Sequence, residues 1–502
     1  MAANPETLPA VAAARPRLDR LVAALSRLVV RIFFRELEVV GAARLPPGPL
    51  VVVANHQNGV IDPLLIVAAL SAGGAGGRMP RFLATHLLWR NPALRPWLQL
   101  GGVIPIYRPK DAAPGASPAH NAAAFARCHE QLAAGGVVAL FPEGTSHSEP
   151  GLVPLKSGAA RIVLEAARRF PGLAPAIVPI GLTFEAKGTF RSRALLEVGE
   201  PIDPAAEIAR DADESAAESG AAAAAGAVRA LTARIDAGLK AVTLNYGSWE
   251  EARRIGRAAE LFSRPAGASA AAGNAATGAG ALPGETPLAE RFSLHRALIE
   301  GYAELCRHDP ERTAAAAAAI DRYDRLLGAL RLRDDQVAAS YPAAPAARWV
   351  GLTALRLLGY LPLAAVGMVL NWLPYRAVGE IAARAAAEPD MPASFKVFGG
   401  IVLFPVAWVL EAALVAWRVA PLPVGRAGAA LLMLVAAPAT GRIALAFNDR
   451  RGRLWREARA YLLLRSRRAI AAELRARRAA AAAEVAGLAE RYRQLAGGAG
   501  PV

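Results

Sequence analysis

Apolar and polar positions change their period several times along the chain. From Arg17 to Phe34 the apolar residues fall at Leu18, Leu21, Val22, Leu25, Leu28, Val29, Ile32 and Phe33, with Arg20, Arg27 and Arg31 off that line. This is the spacing of one helical face. The stripe packs on the domain behind it, lies in a membrane interface, or does both. Residues 1–16 are Ala/Pro-rich, and the broken apolar stretch after them is not that of a secretory signal. Short apolar runs follow at Leu37–Val40, Leu50–Ala54, Arg81–Ala84, Val103–Tyr107, Val137–Phe141, Ile177–Leu182 and Leu195–Val198. Helical or loop segments separate them, with helices expected at Pro63–Ser71, Ala119–Ala134 and Gly158–Arg169. Strands alternating with helices predict an α/β domain over 36–203 with a mostly parallel sheet. Its functional loops should then lie beyond the carboxyl ends of the strands.

From 204 to 345 the composition turns to helix formers, with stripes such as Val228, Leu231, Ile235, Leu239 and Val242. A Gly/Ala/Pro/Ser-rich stretch near 263–286 has no periodicity and reads as a linker. Between 346 and 449 three apolar stretches stand out, at about 351–373, 397–417 and 427–447. Each approaches the roughly 20 residues that cross a bilayer. Each also holds a blemish: Arg356 and Pro362, Pro405 and Glu411, Pro438 and Arg442. The last segment, 450–502, is arginine-rich, which by the positive-inside rule is cytoplasmic. With the α/β domain on the same side, the number of full crossings must be even. The first stretch, with Pro362 mid-span and Pro374 at its end, is therefore expected to be a re-entrant or interfacial hairpin.

Composition narrows the class. The 502 residues are 54% hydrophobic with a net charge of +16, and the mean hydropathy is +0.27. These values exclude a mostly disordered chain and favour membrane segments. The two cysteines, Cys128 and Cys306, form no CxxC pair, which excludes a disulfide scaffold or a cysteine-rich zinc site. Lysine occurs only at 110, 156, 187, 240 and 396, so the positive charge is nearly all arginine. That charge has no aromatic interleaving and sits beside apolar stretches. It suits anionic lipid headgroups rather than nucleic acid.

Four clusters carry chemistry. Asn55-His56-Gln57-Asn58-Gly59-Val60-Ile61-Asp62-Pro63 follows the Leu50–Ala54 strand. Asp62 before Pro63 reads as a helix N-cap that also accepts a hydrogen bond from the imidazole. A carboxylate on one imidazole nitrogen makes the other a better base. Gly101-Gly102-Val103-Ile104-Pro105-Ile106-Tyr107-Arg108 ends in an arginine suited to phosphate. Phe141-Pro142-Glu143-Gly144-Thr145-Ser146-His147 ends a strand, and Lys156 stands near the next helix start, where the dipole also attracts phosphate. Ile177-Val178-Pro179-Ile180-Gly181-Leu182 is a buried strand.

In this order the four clusters resemble the glycerolipid acyltransferase family over about 36–203. Two features depart from its usual pattern: five residues rather than four separate His56 from Asp62, and Ser146-His147 stand where an arginine often follows Phe-Pro-Glu-Gly-Thr. Both, with Phe190-Arg191-Ser192-Arg193 and the helical extension, resemble the fungal-type glycerol-3-phosphate/dihydroxyacetone-phosphate acyltransferase branch. The resemblance implies an α/β fold with a mostly parallel sheet and flanking helices, a helical extension and C-terminal membrane helices. It implies acyl transfer from acyl-CoA or acyl carrier protein, as co-substrate, to a glycerol-phosphate acceptor. His56 is the implied base, oriented by Asp62. By the same resemblance Arg108 and Lys156 would hold the acceptor's phosphate, while Asn55, Glu143, Gly144 and Thr145 would bind the acceptor, Glu143 and Gly144 seating its glycerol part. No metal or other cofactor is implied, and membrane lipids are the surroundings, on the cytoplasmic side of the cytoplasmic membrane. The branch resemblance makes glycerol 3-phosphate the expected acceptor, with lysophosphatidate the alternative. Two other classes remain open: a metal-dependent membrane hydrolase using His56, Asp62 and His147, and an inactive lipid-binding protein.

Overall fold

Leu50, Val51, Val52, Val53 and Ala54 have no solvent exposure at all. A run that is apolar on both faces forms the interior strand of a parallel sheet with helices on either side. The computed structural model describes residues 16–72, 78–90, 94–107, 119–216, 220–263, 286–338, 343–385, 392–418 and 425–495. Arg108 and the expected linker, except its end residues, lie outside this set.

The first helix is α1 (Pro16–Phe33), followed by β1 (Glu36–Val40), β2 (Leu50–Ala54), α2 (Ile61–Ala72), β3 (Pro80–Thr85), α3 (Arg95–Leu100) and β4 (Ile104–Ile106). Then come α4 (Ala119–Ala133), β5 (Val137–Leu140), α5 (Gly158–Arg169), β6 (Ala176–Phe184), β7 (Arg193–Val198), α6 (Ala205–Ala216) and α7 (Gly220–Val242). The seven strands form one sheet in the order β1-β7-β6-β2-β5-β3-β4. All neighbours are parallel except β6 and β7. The expected mostly parallel sheet is therefore present, with strand limits moved by a few residues. Short 3-10 turns at Ala42–Arg44 and His86–Arg90, and helix α3, carry no periodic signal in the sequence.

One sheet face packs Val51, Val53, Val138 and Ile177 against α4, α5 and α7, through residues such as Cys128, Ile162, Val163, Leu231 and Ile235. Helices α6 and α7 thus belong with the sheet, beyond the boundary at 203. Gly181 explains how closely α7 ends against β6: a Cβ there would stand 1.9 Å from the Val242 carbonyl oxygen. At the edge, Arg193 is buried and its Nε donates to Glu36 Oε2 at 2.8 Å, pairing β7 with β1. This accounts for the last arginine of the Phe-Arg-Ser-Arg run, while Arg191 takes a left-handed φ of 65°.

Helix α1 buries Ala23, Ser26, Val30 and Phe33. Its Leu18, Leu21, Leu28 and Ile32 stay exposed. Half of the apolar stripe seen in the sequence is therefore exposed, and Ala23, Ser26 and Val30, joined by Phe33 from the stripe, make the packing face. Arg81 fixes the helix in place, donating from Nη1 and Nη2 to the two oxygens of Asp19 at 2.9 Å each.

Two compact units divide the chain: residues 1–245 with 388–394, and 246–387 with 395–502. The second holds α8 (Trp249–Ser263), α9 (Leu288–His308), α10 (Pro310–Leu330), α11 (Asp334–Ala338), α12 (Ala343–Ala385), most of α13 (Pro392–Arg418), α14 (Gly425–Ser466) and α15 (Arg468–Leu495). In it, Ile320, Tyr323 and Leu327 of α10 share a core with Ala460, Leu464, Leu474 and Val485. The arginine-rich C-terminal segment is thus part of a packed helical unit. Arg478 is buried and pairs with Asp334, which also accepts from Tyr323 Oη at 2.8 Å.

Among the described residues three helices are long and apolar enough to cross a membrane: Arg348–Arg384, Ser394–Arg418 and Gly425–Ser466. They expose Leu355, Val369, Leu373, Leu410, Leu431 and Leu432, an arrangement suited to lipid rather than water. Asn371 ties them together, accepting from Trp408 Nε1 at 2.9 Å and donating to the Ala437 carbonyl at 3.1 Å. Helix α12 runs unbroken through Pro362 and Pro374. The hairpin expected in that stretch is not formed, because membrane helices tolerate proline where neighbours satisfy the freed backbone groups.

Candidate active site

Strands β2, β5, β3 and β4 run parallel, so the loops after them open on one side of the sheet. His56 lies just past β2. Its Nδ1 is 2.9 Å from Asp62 Oδ2, and its ring stacks on Phe141 at 4.0 Å between centroids. The histidine side chain keeps 18% exposure while Asp62 has none. Among the described residues Nε2 has no partner, so the pair presents one free imidazole nitrogen outward.

Asp62 does not cap the helix as its place before Pro63 suggests. Helix α2 already begins at Ile61. The carboxylate instead reaches back to the loop, and Oδ2 accepts from the backbone N–H groups of Gln57 at 2.9 Å and Asn58 at 2.8 Å. Three donors thus converge on one oxygen, while Oδ1 is buried without a hydrogen-bond partner. Gly59, at a φ of 52°, supplies the left-handed turn that accommodates the longer loop.

Asn55 was expected at the acceptor, but it is buried and both the nitrogen and the oxygen of its amide are hydrogen-bonded to the backbone. Its Nδ2 donates to the Leu182 carbonyl at 2.9 Å and its Oδ1 accepts from Leu182 N–H at 2.7 Å. The side chain extends the β2–β6 pairing beyond the last ladder bond. Glu143 is equally enclosed, with no side-chain exposure. Its Oε1 accepts from His56 N–H at 2.6 Å, and its Oε2 accepts from Val153 N–H at 3.2 Å and pairs with His147 Nε2. Any effect of Glu143 on an acceptor therefore passes through the backbone it holds. His147 accepts from Glu149 N–H at Nδ1, at 3.1 Å, which leaves Nε2 as its donor. Both ring nitrogens are engaged, so His147 offers no lone pair to a metal shared with His56 and Asp62.

Gly144 turns at a φ of 75°, and a Cβ there would meet Lys156 Cγ at 3.3 Å. Lys156 is exposed and stands one residue before Ser157, the residue that precedes α5. Its ammonium has no partner among the described residues. A cation beside a helix N-terminus is a suitable place for an anion. Thr145 lies on the same loop, its Oγ1 donating to the Ser146 carbonyl at 3.2 Å. Arg108 is not described, but the residue before it is held: Asn121 accepts from Tyr107 N–H at 2.9 Å and donates to the Tyr107 carbonyl at 2.8 Å.

Two participants were not anticipated. Phe141 forms a stacking floor under His56, although its motif was noted only for its turn. Lys187, on the loop after β6, donates to Gln57 O, His147 O and Ser148 Oγ. The rarity of lysine in this chain was the signal available for it.

Residues 36–183 match the acyltransferase family, and residues 283–493 match the glycerol-3-phosphate acyltransferase 2 C-terminal domain. Similar relatives include glycerol-3-phosphate O-acyltransferase 2 of Saccharomyces cerevisiae, 30% identical over 217 residues, covering 43% of this chain and 26% of that protein. Glycerol-3-phosphate O-acyltransferase 1 of the same organism is 27% identical over 187 residues, covering 37% of this chain and 22% of that protein. The matches thus span about a quarter of the length of these curated relatives. Among solved structures, the 1-acyl-sn-glycerophosphate acyltransferase PlsC of Thermotoga maritima is 18% identical with a TM-score of 0.31, covering 46% of this chain and 82% of that one.

Proposed function

We infer that this chain, a member of the glycerolipid acyltransferase family that joins an acyltransferase domain to a glycerol-3-phosphate acyltransferase 2 C-terminal domain, acylates glycerol 3-phosphate at a membrane. The observation that carries the mechanism is the His56–Asp62 pair, with Nδ1 held at 2.9 Å and Nε2 open. Nε2 takes the proton of the acceptor's hydroxyl as its oxygen attacks the thioester carbonyl of acyl-CoA or acyl carrier protein. A C–O bond forms, the C–S bond breaks, and the departing thiolate recovers the proton from the imidazolium. Positioned bases of this kind contribute roughly 10²–10⁴-fold. Asp62 stabilises the imidazolium, Lys156 and Arg108 hold the phosphate, Gly144 and Thr145 line its approach, and Asn55 and Glu143 fix the loops.

The exposed leucines of α1 and the apolar faces of α12–α14 support a membrane setting. The acyltransferase domain and the arginine-rich C-terminal segment lie on the cytoplasmic face of the cytoplasmic membrane. An even number of the three long helices then crosses the bilayer.

The test is the purified full-length protein in lipid nanodiscs, offered glycerol 3-phosphate or lysophosphatidate with an acyl-CoA. Glycerol 3-phosphate is the productive acceptor, and lysophosphatidate alone would overturn that preference. His56→Ala abolishes transfer while the protein stays folded and membrane-bound. Full activity in that variant refutes the mechanism.

A further inference from the structure

We propose that Lys187 is a positioning residue that locks the loop carrying the base to the loop carrying the acceptor seat; this rests on the acyltransferase reading above. An ammonium has three N–H donors and no acceptor. Those of Lys187 reach Gln57 O at 2.9 Å, His147 O at 3.2 Å and Ser148 Oγ at 2.6 Å. One acceptor belongs to the loop after β2 and two to the loop after β5. The lysine's own carbonyl accepts from Asn58 Nδ2 at 2.9 Å. Segments 56–58, 147–148 and 187 therefore interlock. The three acceptors satisfy the ammonium inside the protein, which distinguishes Lys187 from the exposed Lys156 and assigns it no part in holding phosphate.

The tie returns to the base by a second route. His147 N–H donates to the His56 carbonyl at 3.2 Å. The His147 ring pairs with Glu143, and Glu143 accepts from His56 N–H at 2.6 Å. Lys187, His147 and Glu143 thus bracket the backbone of His56 from both of its polar atoms.

This also joins the two departures from the usual family pattern. The longer His56–Asp62 loop turns at Gly59 and presents Gln57 O and Asn58 Nδ2 to Lys187. The Ser146-His147-Ser148 run presents His147 O and Ser148 Oγ to the same lysine. The two changes meet on one side chain, which gives them a common structural reason.

Lys187→Met keeps the stem and leaves the two carbonyls without their cationic donor, so the loops separate. A displacement of about 1 Å at a catalytic group costs about 10²-fold in rate. The expected result in the nanodisc assay with glycerol 3-phosphate and palmitoyl-CoA is a kcat lowered about 10²-fold, with both KM values within about twofold of wild type. Lys187→Arg, which keeps a charged donor, recovers most of that loss. Ser148→Ala lowers kcat several-fold in the wild type and has no further effect in the Lys187→Met background, since the pair acts as a unit.

A raised KM for glycerol 3-phosphate with kcat intact would make Lys187 a phosphate ligand and overturn the proposal. So would unchanged kinetics, or an arginine variant no better than methionine at equal thermal stability. If the wild-type protein transfers no acyl group, the functional reading fails by itself. Hydrogen exchange then still tests the tie: residues 55–60 and 143–149 exchange faster together in Lys187→Met, and unchanged exchange in either segment refutes it.

Discussion

Asp62→Asn separates charge from geometry at the proposed active site. Three donors meet on Asp62 Oδ2: His56 Nδ1, Gln57 N–H and Asn58 N–H. An asparagine amide has one oxygen and one NH₂, so it can sit two ways. With NH₂ in the Oδ2 position it would face two backbone donors, which is unfavourable at both contacts. With the oxygen there, all three hydrogen bonds survive and the imidazole keeps its tautomer. The NH₂ then occupies the Oδ1 position, which is buried and has no partner. A buried unsatisfied donor costs about 1–3 kcal/mol, so the variant is less stable yet folded. What vanishes from the chemistry is the negative charge facing the imidazolium that forms as His56 takes the proton. Hydrogen bonds to charged groups contribute about 1.5–3 kcal/mol against about 1 for neutral ones, and the imidazolium is charged only after proton transfer. The loss therefore falls on kcat. The difference of about 0.5–2 kcal/mol predicts a loss of about 2- to 30-fold, small for a general-base site because tautomer and alignment are retained. The assay is steady-state acylation of glycerol 3-phosphate in nanodiscs, with thermal unfolding followed in parallel by tryptophan fluorescence. An unchanged kcat, or a loss that falls on KM alone, would refute the reasoning. So would a loss that merely tracks the unfolded fraction.

Lys156→Met removes an exposed cation whose stem covers Gly144. If it holds phosphate, losing a charge-assisted contact of about 1.5–3 kcal/mol raises the KM for glycerol 3-phosphate about 10- to 100-fold. The KM for acyl-CoA stays unchanged, and an equal rise in both would argue against a phosphate role. In the helical unit, burial and then Arg291 hold the His295 imidazole down to about 4, and its Nδ1 is 2.7 Å from Tyr246 Oη. The unfolded chain binds the proton near pH 6.5, so stability is fully present above that value and falls as pH drops through the window to about 4. The total is on the order of 3 kcal/mol. Thermal unfolding between pH 7 and 4 should show this slope in the wild type and lose it in His295→Phe; an unchanged slope in the variant would refute the assignment.

The sheet was legible because buried parallel strands leave continuous apolar runs such as Leu50–Ala54 and Val137–Leu140. The histidine–carboxylate pair was legible because its residues are close in sequence. Three features escaped for definable reasons. The packing face of α1 consists of Ala23, Ser26 and Val30 with Phe33, and periodicity passes over the first three beside the stronger leucine stripe. Helices α6 and α7 carry the same period whether they cover the sheet or another helix, so pattern alone cannot assign their partner. Asn55 and Glu143 sit in the motifs where ligand contacts are expected, and only the positions of Leu182 and Val153 reveal that their polar atoms face inward.

That inward turn bears on how the site works. A buried carboxylate needs donors, since an uncompensated charge in a low-dielectric interior is costly. Asp62 and Glu143 find theirs in the backbone N–H groups of Gln57, Asn58, His56 and Val153. Satisfying those charges therefore fixes the backbone on which the base stands. The pieces left facing outward are the His56 imidazole and the Lys156 ammonium, one suited to a proton and the other to a phosphate. On this arrangement a defect in the enclosed carboxylates lowers kcat, while a defect in the outward cation raises the acceptor's KM. His56 itself apart, site variants should therefore sort by whether their polar atoms face the protein or the solvent, rather than by their distance in sequence from His56.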